Sequence, residues 1–235
     1  MQLHVAFLPA LTVRPQVSIV VDVIRASTSL VTLVERGAAP IFIAADVETA
    51  RRHAAGTNAI LAGEEGGLAP LGFDFGNSPV ELSQAELRGK AVVFVTTNGT
   101  AAIRAVQGGS AVFVGALRNG TAVSREAVAL ARDQRADLTI VCAGRVGAFG
   151  LDDAYCAGYL VDRVLREVTP ACTDAADAAL RIYRGESDPL GLFRSTAAGR
   201  AVIELGLSAD LAYCVATDVS TVVPLVGREV LMAAT

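Results

Sequence analysis

The sequence feature that most constrains the fold is a change of hydrophobic period near the start of the chain. Residues 18–21 form a mostly β-branched run, which is typical of a buried parallel strand, and the apolar residues of 30–34 recur at helical spacing. Asp22 and Arg25 therefore lie near a predicted strand-to-helix turn. A carboxylate and a guanidinium at a helix N-terminus predict a phosphate site that includes a metal ion. The alternative is a capped helix with a surface ion pair.

Hydroxyl side chains follow this turn. Ser27 and Thr28 come at the predicted helix start, where the first backbone N–H groups have no partner within the helix. Hydroxyls at this place, together with the helix dipole, favour an anion. We therefore predict that both residues bind phosphate.

The chain alternates between strand-like and helix-like segments. Strands are predicted at residues 3–7, 18–21, 41–44, 59–62, 91–95, 111–114, 138–141, 213–217 and 222–226. Helices are predicted at residues 27–37, 47–55, 101–106, 121–132, 151–168, 173–183 and 196–205. This alternation indicates βαβ units, so the fold class is α/β. We expect a single domain over residues 1–235, with a weak boundary near residues 169–170.

Composition excludes several classes of protein. With 52% hydrophobic residues and a mean hydropathy of +0.47, the chain suits a well-buried sheet covered by Ala-rich helices. Charges interrupt every apolar run before about 18 residues, so we expect no membrane span. The net charge of −4 and the scattered basic residues argue against a nucleic-acid partner. The cysteines form no Cys-x-x-Cys pair, so zinc is not expected, and without a signal-like N-terminus we expect a cytoplasmic protein.

Polar residues concentrate where predicted strands end. The stretch 63–79 has no periodicity, contains Glu64 and Asp74, and is long for a loop in a compact domain. Residues 96–100 follow another strand, and Asp152 and Asp153 begin a helix after a third. In open α/β sheets, ligands bind beyond the carboxyl ends of strands. We therefore predict that these groups share one rim of the sheet.

The chemistry predicted for this rim is phosphoryl transfer to water. An acid beside a phosphate repels it by about 4 kcal/mol per charge pair at about 4 Å, so a cation must offset the repulsion. Carboxylate, hydroxyl and amide oxygens suit Mg²⁺. Arg25 can contact phosphate with two N–H groups, and residues 97–100 add neutral donors. Water could attack the phosphorus directly, or a carboxylate could be phosphorylated first, with Asp22 as the candidate nucleophile.

Eight motifs in order resemble those of the ComB family, the Mg²⁺-dependent 2-phosphosulfolactate phosphatases associated with coenzyme M biosynthesis. They are Val21-Asp-Val-Ile-Arg-Ala-Ser-Thr28, Leu61-Ala-Gly-Glu64, Gly66-Gly67, Gly72-Phe-Asp-Phe-Gly-Asn-Ser-Pro79, Thr96-Thr-Asn-Gly-Thr100, Cys142-Ala-Gly144, Leu151-Asp-Asp153 with Cys156-Ala-Gly158, and Gly199-Arg200 with Val222-Val-Pro224. The resemblance implies a three-layer α/β/α fold with a largely parallel or mixed sheet. It also implies Mg²⁺, a small anionic phosphoester as substrate, most directly 2-phosphosulfolactate, and a homo-oligomer, with a dimer favoured.

From the residues and the resemblance together we assign the predicted roles. The predicted catalytic residues are Asp22, Arg25, Glu64 and Asn98. The predicted substrate- or phosphate-binding residues are Ser27, Thr28, Asn77, Ser78, Thr97, Gly99 and Thr100. The predicted metal ligands are Asp22, Glu64, Asp74, Asp152 and Asp153.

Two positions depart from the family pattern. Glu65 stands where a basic residue is expected, and the pair Arg145-Val146 lacks an expected acidic residue. If a basic residue at position 65 binds the substrate's sulfonate or carboxylate, Glu65 would weaken that contact. The alternatives are therefore a catalytically altered phosphoester-binding protein, a phosphatase for another small 2-phospho acid, or a phosphotransferase whose second pocket involves residues 63–79.

Overall fold

The central feature of the fold is one mixed β-sheet. The structure is a computed structural model that describes residues 1–9, 17–106, 108–227 and 230–233. The strands in these residues are β1 (Gln2–Ala6), β2 (Val17–Val21), β3 (Ile41–Ile43), β4 (Ile60–Gly63), β5 (Val92–Val95), β6 (Ala111–Val114), β7 (Leu138–Cys142), β8 (Ala171–Cys172), β9 (Pro224–Val226) and β10 (Val230–Ala233). Their order across the sheet is β4-β5-β3-β10-β9-β6-β2-β7-β1-β8.

Helices connect most of these strands. They are α1 (Ala26–Glu35), α2 (Val47–Ala54), α3 (Pro79–Gln84), α4 (Gly99–Val106), α5 (Gly120–Asp133), α6 (Leu151–Glu167), α7 (Asp174–Gly185), α8 (Pro189–Ser195), α9 (Ala197–Glu204) and α10 (Ala209–Cys214). Several begin at side-chain caps, among them Asp46 before α2 and Thr196 before α9. None of the helices in the described ranges is both long and apolar enough to cross a membrane.

The sheet consists of two parallel groups of strands joined by an antiparallel pair. The first group is β8, β1, β7, β2 and β6, and the second is β3, β5 and β4. Between them, β9 is antiparallel to β6, and β10 is antiparallel to β9 and to β3. Followed strand by strand, the second group therefore runs opposite to the first. In a flat sheet the carboxyl ends of the two groups would lie at opposite edges.

One hydrophobic core receives side chains from both groups. It contains Val20 and Val141 from the first group, Ile41 and Phe94 from the second, and Leu30 from α1. Because both groups face this same core, the sheet is bent around α1 and α4, as accumulated strand twist allows. The bend brings the carboxyl ends of the two groups towards each other.

The outer faces of both strand groups are also covered by helices. Alternate residues of the first group, such as Ile19 and Ile140, pack in a second core with Val123 of α5 and Leu160 of α6. The outer face of the second group packs against α2 through Ala50. The fold is therefore three-layered α/β/α with a mixed central sheet.

Most predicted elements are present with boundaries shifted by one or two residues, but one prediction is wrong. Residues 213–217 were expected to form a strand, and instead α10 covers residues up to Cys214. The buried residues Asp210, Leu211 and Cys214 have helical spacing, and the Tyr213 ring packs 3.9 Å from the Arg118 guanidinium. Packing has thus outweighed the strand propensity of tyrosine and valine. The predictions also missed the short elements α3, α8, β8 and β10.

Candidate active site

A small cavity opens where the carboxyl ends of β2, β4, β5 and β7 approach α9. Its volume is about 150 Å³, below the range of about 300–1,000 Å³ typical of pockets for drug-sized ligands, so it suits a small ligand. Its lining residues are Asp22, Ile24, Arg25, Glu64, Gly66, Gly67, Asn77, Thr97, Asn98, Arg145, Val146, Ala198, Ala201, Val202 and Leu205. The structure thus brings together residues from both strand groups, including the four predicted catalytic residues.

Asp22 lies at the base of this pocket, directly after β2. The residue is 8% exposed. Burial raises its pKa from 3.8 to about 7, and the negative charges of Asp152 and Glu64 raise it further, while the Ala26 N–H and Arg25 lower it. A carboxyl group that titrates near neutrality is poised for proton transfer or for cation binding.

Two more acids stand beside Asp22 at the start of α6. Asp22, Asp152 and Asp153 line a second cavity of about 20 Å³, roughly the space that one water molecule needs. Burial raises the pKa of Asp152 to about 6, and Arg145 opposes that shift. Burial and the other two carboxylates also raise the pKa of Asp153 well above its usual value.

Asp153 and Glu64 hold backbone loops together through their carboxylate oxygens. Asp153 accepts hydrogen bonds of 2.9 Å from the Val23 N–H and the Gly144 N–H, which joins the chain after β2 to the chain after β7. Glu64 accepts from the Thr97 N–H at 2.6 Å and from the Gly67 N–H at 2.7 Å. These two acids therefore fix the pocket walls, and their free lone pairs remain available to a ligand.

Arg25 is held by a buried ion pair that the sequence did not reveal. Its Nη1 lies 2.9 Å from the Asp210 Oδ2, and the two residues are 4% and 1% exposed. Its Nη2 donates to the Gly67 carbonyl at 2.9 Å. Asp210 also accepts a 2.6 Å hydrogen bond from the Ser78 hydroxyl. Asp210 is a single aspartate far along the chain, and no local pattern distinguishes it from a surface acid.

Two asparagines present side-chain oxygens near the pocket. The Asn98 Oδ1 accepts a 3.0 Å hydrogen bond from the Val146 N–H, which ties the start of α4 to the loop after β7. The Asn77 Oδ1 is buried and has no hydrogen-bond partner among the described residues. A buried unpaired acceptor is costly, so a ligand that supplies a donor or a cation is expected at Asn77.

Three predicted phosphate ligands instead serve the protein's own backbone. The Ser27 hydroxyl donates to the Asp22 carbonyl and the Thr28 hydroxyl to the Val23 carbonyl, each at 2.9 Å. The Thr100 hydroxyl donates to the Thr96 carbonyl. None of the three lines the pocket, because hydroxyls at a helix start can satisfy nearby carbonyls as readily as an anion.

Two further predicted ligands lie outside the pocket. Ser78 caps α3 and donates to Asp210, so its contribution to the site is indirect. Asp74 is exposed, and its Oδ2 accepts a 2.8 Å hydrogen bond from the Leu61 N–H at the edge of the sheet. The geometry thus does not bring Asp74 to the other acids, and the long loop places its glycines and Asn77 at the pocket instead.

Gly99 is required by the close approach of α4 to Asp22. A Cβ atom at this position would lie 2.5 Å from the Ala26 Cβ and 2.9 Å from the Asp22 Oδ2. We predict that Gly99→Ala destabilises the fold by about 1–3 kcal/mol, the usual cost of overpacking, although alanine is the better helix former. Thermal unfolding would measure this. Gly185→Ala is the matched control, since nothing lies within 4 Å of its Cβ position, and an equal melting temperature for Gly99→Ala and wild type would contradict the prediction.

The donor chemistry of the site fits Mg²⁺. Asp22, Asp152 and the orphaned Asn77 Oδ1 offer oxygen ligands, and the raised pKa values of the two acids indicate uncompensated negative charge. Within the described ranges, no three His, Cys, Asp or Glu side chains form a ready metal cage. Mg²⁺ commonly binds through only one or two carboxylates and keeps several waters, so the residues present are sufficient.

Comparisons with known proteins point in one direction. Residues 7–229 match the family described as 2-phosphosulpholactate phosphatase. The chain is 42% identical over 226 residues to a probable 2-phosphosulfolactate phosphatase of Deinococcus radiodurans, covering 95% of this chain and 92% of the relative. It is 40% identical over 219 residues to a protein of the same name from Thermus thermophilus, covering 92% and 90%. A third relative of that name, from Clostridium acetobutylicum, is 34% identical over 215 residues, covering 90% of each chain.

Proposed function

Because the chain belongs to the 2-phosphosulfolactate phosphatase family, we propose that it hydrolyses a small anionic phosphate monoester, with 2-phosphosulfolactate as the substrate. The observation that carries the proposal is the pocket itself, in which buried acids lie beside two guanidinium groups. Arg25 and Arg145 both line the cavity, as do Asp22 and Glu64. Cations attract the phosphate, and acids supply sites for a metal ion and for protons.

The chain's residues have distinct parts in this hydrolysis. The bond between phosphorus and the ester oxygen breaks, a bond from phosphorus to a water oxygen forms, and the hydroxy acid leaves with a proton. Arg25 binds phosphate oxygens with the N–H groups that Asp210 and Gly67 leave free. Glu64 holds the Thr97 and Gly67 amides in place, which keeps the loops from both strand groups around the phosphate.

We propose Mg²⁺ as the cofactor, held by Asp22 and Asp152. Both acids line the small cavity next to the pocket, where burial raises their pKa values to about 7 and about 6. A bound Mg²⁺ would neutralise phosphate oxygens and stabilise the charge that develops as the ester bond breaks. The carboxylates would orient the cation, and Arg25 would balance the charge on the opposite side of the phosphate.

The proposal is tested by measuring phosphate release from 2-phosphosulfolactate with Mg²⁺ and with EDTA. We expect release that depends on Mg²⁺ and falls by about a hundredfold or more without it. Release that ignores EDTA would exclude the metal, and the absence of release with Mg²⁺ would exclude the phosphatase. Thermal stabilisation by the phosphoester without release would instead favour the phosphoester-binding protein.

Two further parts of the proposal concern location and assembly. The cysteines Cys142, Cys156, Cys172 and Cys214 are all free thiols, which suits a reducing compartment such as the cytoplasm. We also propose a homo-oligomer, with a dimer favoured. Exposed apolar side chains near the pocket loops, including Leu71 at 92% and Val146 at 81% exposure, are suited to such contacts.

A further inference from the structure

Two turns of the same geometry flank the pocket. The first follows β4, where Glu65 and Leu68 exchange backbone hydrogen bonds. The second follows β7, where Arg145 and Ala148 do the same. In each turn both central residues have positive φ values, 64° and 90° in the first and 49° and 74° in the second. The two turns therefore present their first residues, Glu65 and Arg145, from corresponding places.

These two first residues have opposite charges and different surroundings. Glu65 is exposed and does not line the pocket. Arg145 lines both the pocket and the small acidic cavity, although its side chain is largely exposed to solvent. The reversed charge at Glu65 thus does not reach the cavity wall, and the loss of substrate affinity expected from it has no structural basis.

The guanidinium of Arg145 is a cation without a partner of its own. In the described part of the chain it makes no hydrogen bond and no ion pair, and Asp152 only attracts it from a distance. Arg25, by contrast, is already paired with Asp210. Of the two guanidiniums at the pocket, Arg145 is the one with all its N–H groups available to a ligand.

The turn that carries Arg145 is held in place against the pocket. Val146 has a φ of 49°, a conformation that is strained for a β-branched residue. Its N–H donates to the Asn98 Oδ1, and the neighbouring Gly144 N–H donates to Asp153. The wall opposite consists of the apolar residues Ala198, Ala201 and Val202 of α9, which offer no competing charge. Arg145 is therefore a fixed cation at the mouth of an otherwise apolar wall.

We propose that Arg145 binds the anionic group that the substrate carries beside its phosphate. It thereby selects phosphate esters of hydroxy acids over phosphate esters of neutral alcohols. The inference rests on the proposed function and specifies the substrate class of that same site. A carboxylate and a sulfonate share the required chemistry, since each presents oxygens to which a guanidinium can donate two hydrogen bonds.

The test compares three substrates in wild type, Arg145→Ala and Arg145→Lys. The substrates are 2-phosphosulfolactate, 2-phospholactate, which lacks the sulfonate, and isopropyl phosphate, whose alcohol is neutral. We expect Arg145→Ala to lower the ratio of kcat/KM for 2-phosphosulfolactate to that for isopropyl phosphate by about tenfold to a hundredfold, mainly through KM. Arg145→Lys should restore part of the ratio. A fall that appears with both anionic substrates identifies the carboxylate as the bound group, and a fall confined to 2-phosphosulfolactate identifies the sulfonate.

Glu65→Gln is the matched control, because it changes one charge at the corresponding turn outside the cavity. Its substrate ratio should stay within about twofold of wild type. A ratio unchanged in Arg145→Ala, or an equal fall in Glu65→Gln, would overturn the inference. If wild type hydrolyses none of the three esters, the proposed function fails, and calorimetric binding of sulfolactate then decides about Arg145 alone. Weaker binding to Arg145→Ala would support the inference, and equal binding would refute it.

Discussion

Replacing Asp22 by asparagine is expected to remove turnover and at the same time to stabilise the metal-free protein. Turnover should fall by about a hundredfold or more, because even residues that only orient metal ligands commonly cost 10- to 100-fold. Stability should rise because asparagine occupies the same buried place without a charge. The two effects have opposite signs, which distinguishes a functional acid from one that supports the fold.

The stabilisation should depend on pH in a direction that follows from the raised pKa. The pKa of Asp22 is about 7 in the folded protein and 3.8 without its surroundings, with burial as the largest cause. Folding therefore favours the protonated acid. The stabilising contribution is full below about pH 4 and is lost as the pH rises through about 7. Asp22→Asn should gain little over wild type at pH 5 and up to about 4 kcal/mol at pH 8, at about 1.4 kcal/mol per pKa unit.

Melting temperatures in EDTA at pH 5 and pH 8, together with turnover in Mg²⁺, measure both effects. Asp133→Asn serves as the control, because Asp133 is exposed and its removal should leave stability within about 0.5 kcal/mol. Mg²⁺ should raise the melting temperature of wild type more than that of Asp22→Asn. An Asp22→Asn protein that melts lower than wild type at pH 8 would make Asp22 a structural residue.

The sequence predicted the parts of this molecule that local patterns encode. The β-branched run of β2, the polar turn after it and the repetition of that pattern at β5 and α4 are visible in the order of residues. The family resemblance depends on the same motifs, and the match over residues 7–229 confirms it. Asp22, Arg25, Glu64 and Asn98 were expected to meet, and they line one pocket.

The sequence could not predict how those parts meet. We expected strand ends at one edge of a common sheet, whereas β9 and β10 reverse the strand direction and the sheet bends around α1 and α4. That reversal depends on pairing between residues more than a hundred positions apart, which no local period records. Hydroxyl groups were equally ambiguous. Ser27 and Thr28 have the composition of an anion site, yet they satisfy carbonyl groups of their own loop.

Asp210 is the clearest residue that only the structure could assign, and its removal should have the second large effect. Asp210→Ala leaves the guanidinium of Arg25 buried without a counter-charge and takes away the acceptor of Ser78. Breaking a buried pair in this way costs about 3–5 kcal/mol, a large part of the typical stability of a domain. Urea unfolding followed by circular dichroism would measure the loss. Glu167→Gln is the control, because its pair with Arg125 spans 3.6 Å on the surface and should contribute about 1 kcal/mol or less.

A double variant separates the energetic role of the pair from its role in turnover. Arg25→Met with Asp210→Leu removes both buried charges, and replacement of a buried pair by apolar residues is commonly neutral or stabilising. We therefore expect this variant to recover most of the stability that Asp210→Ala loses, while turnover stays as low as in Arg25→Met alone. Recovery of turnover together with stability would contradict a role for Arg25 in phosphate binding. If Asp210→Ala instead unfolds at the same urea concentration as wild type, the pair does not stabilise the fold, and the 2.9 Å contact serves only to direct Arg25 at the substrate.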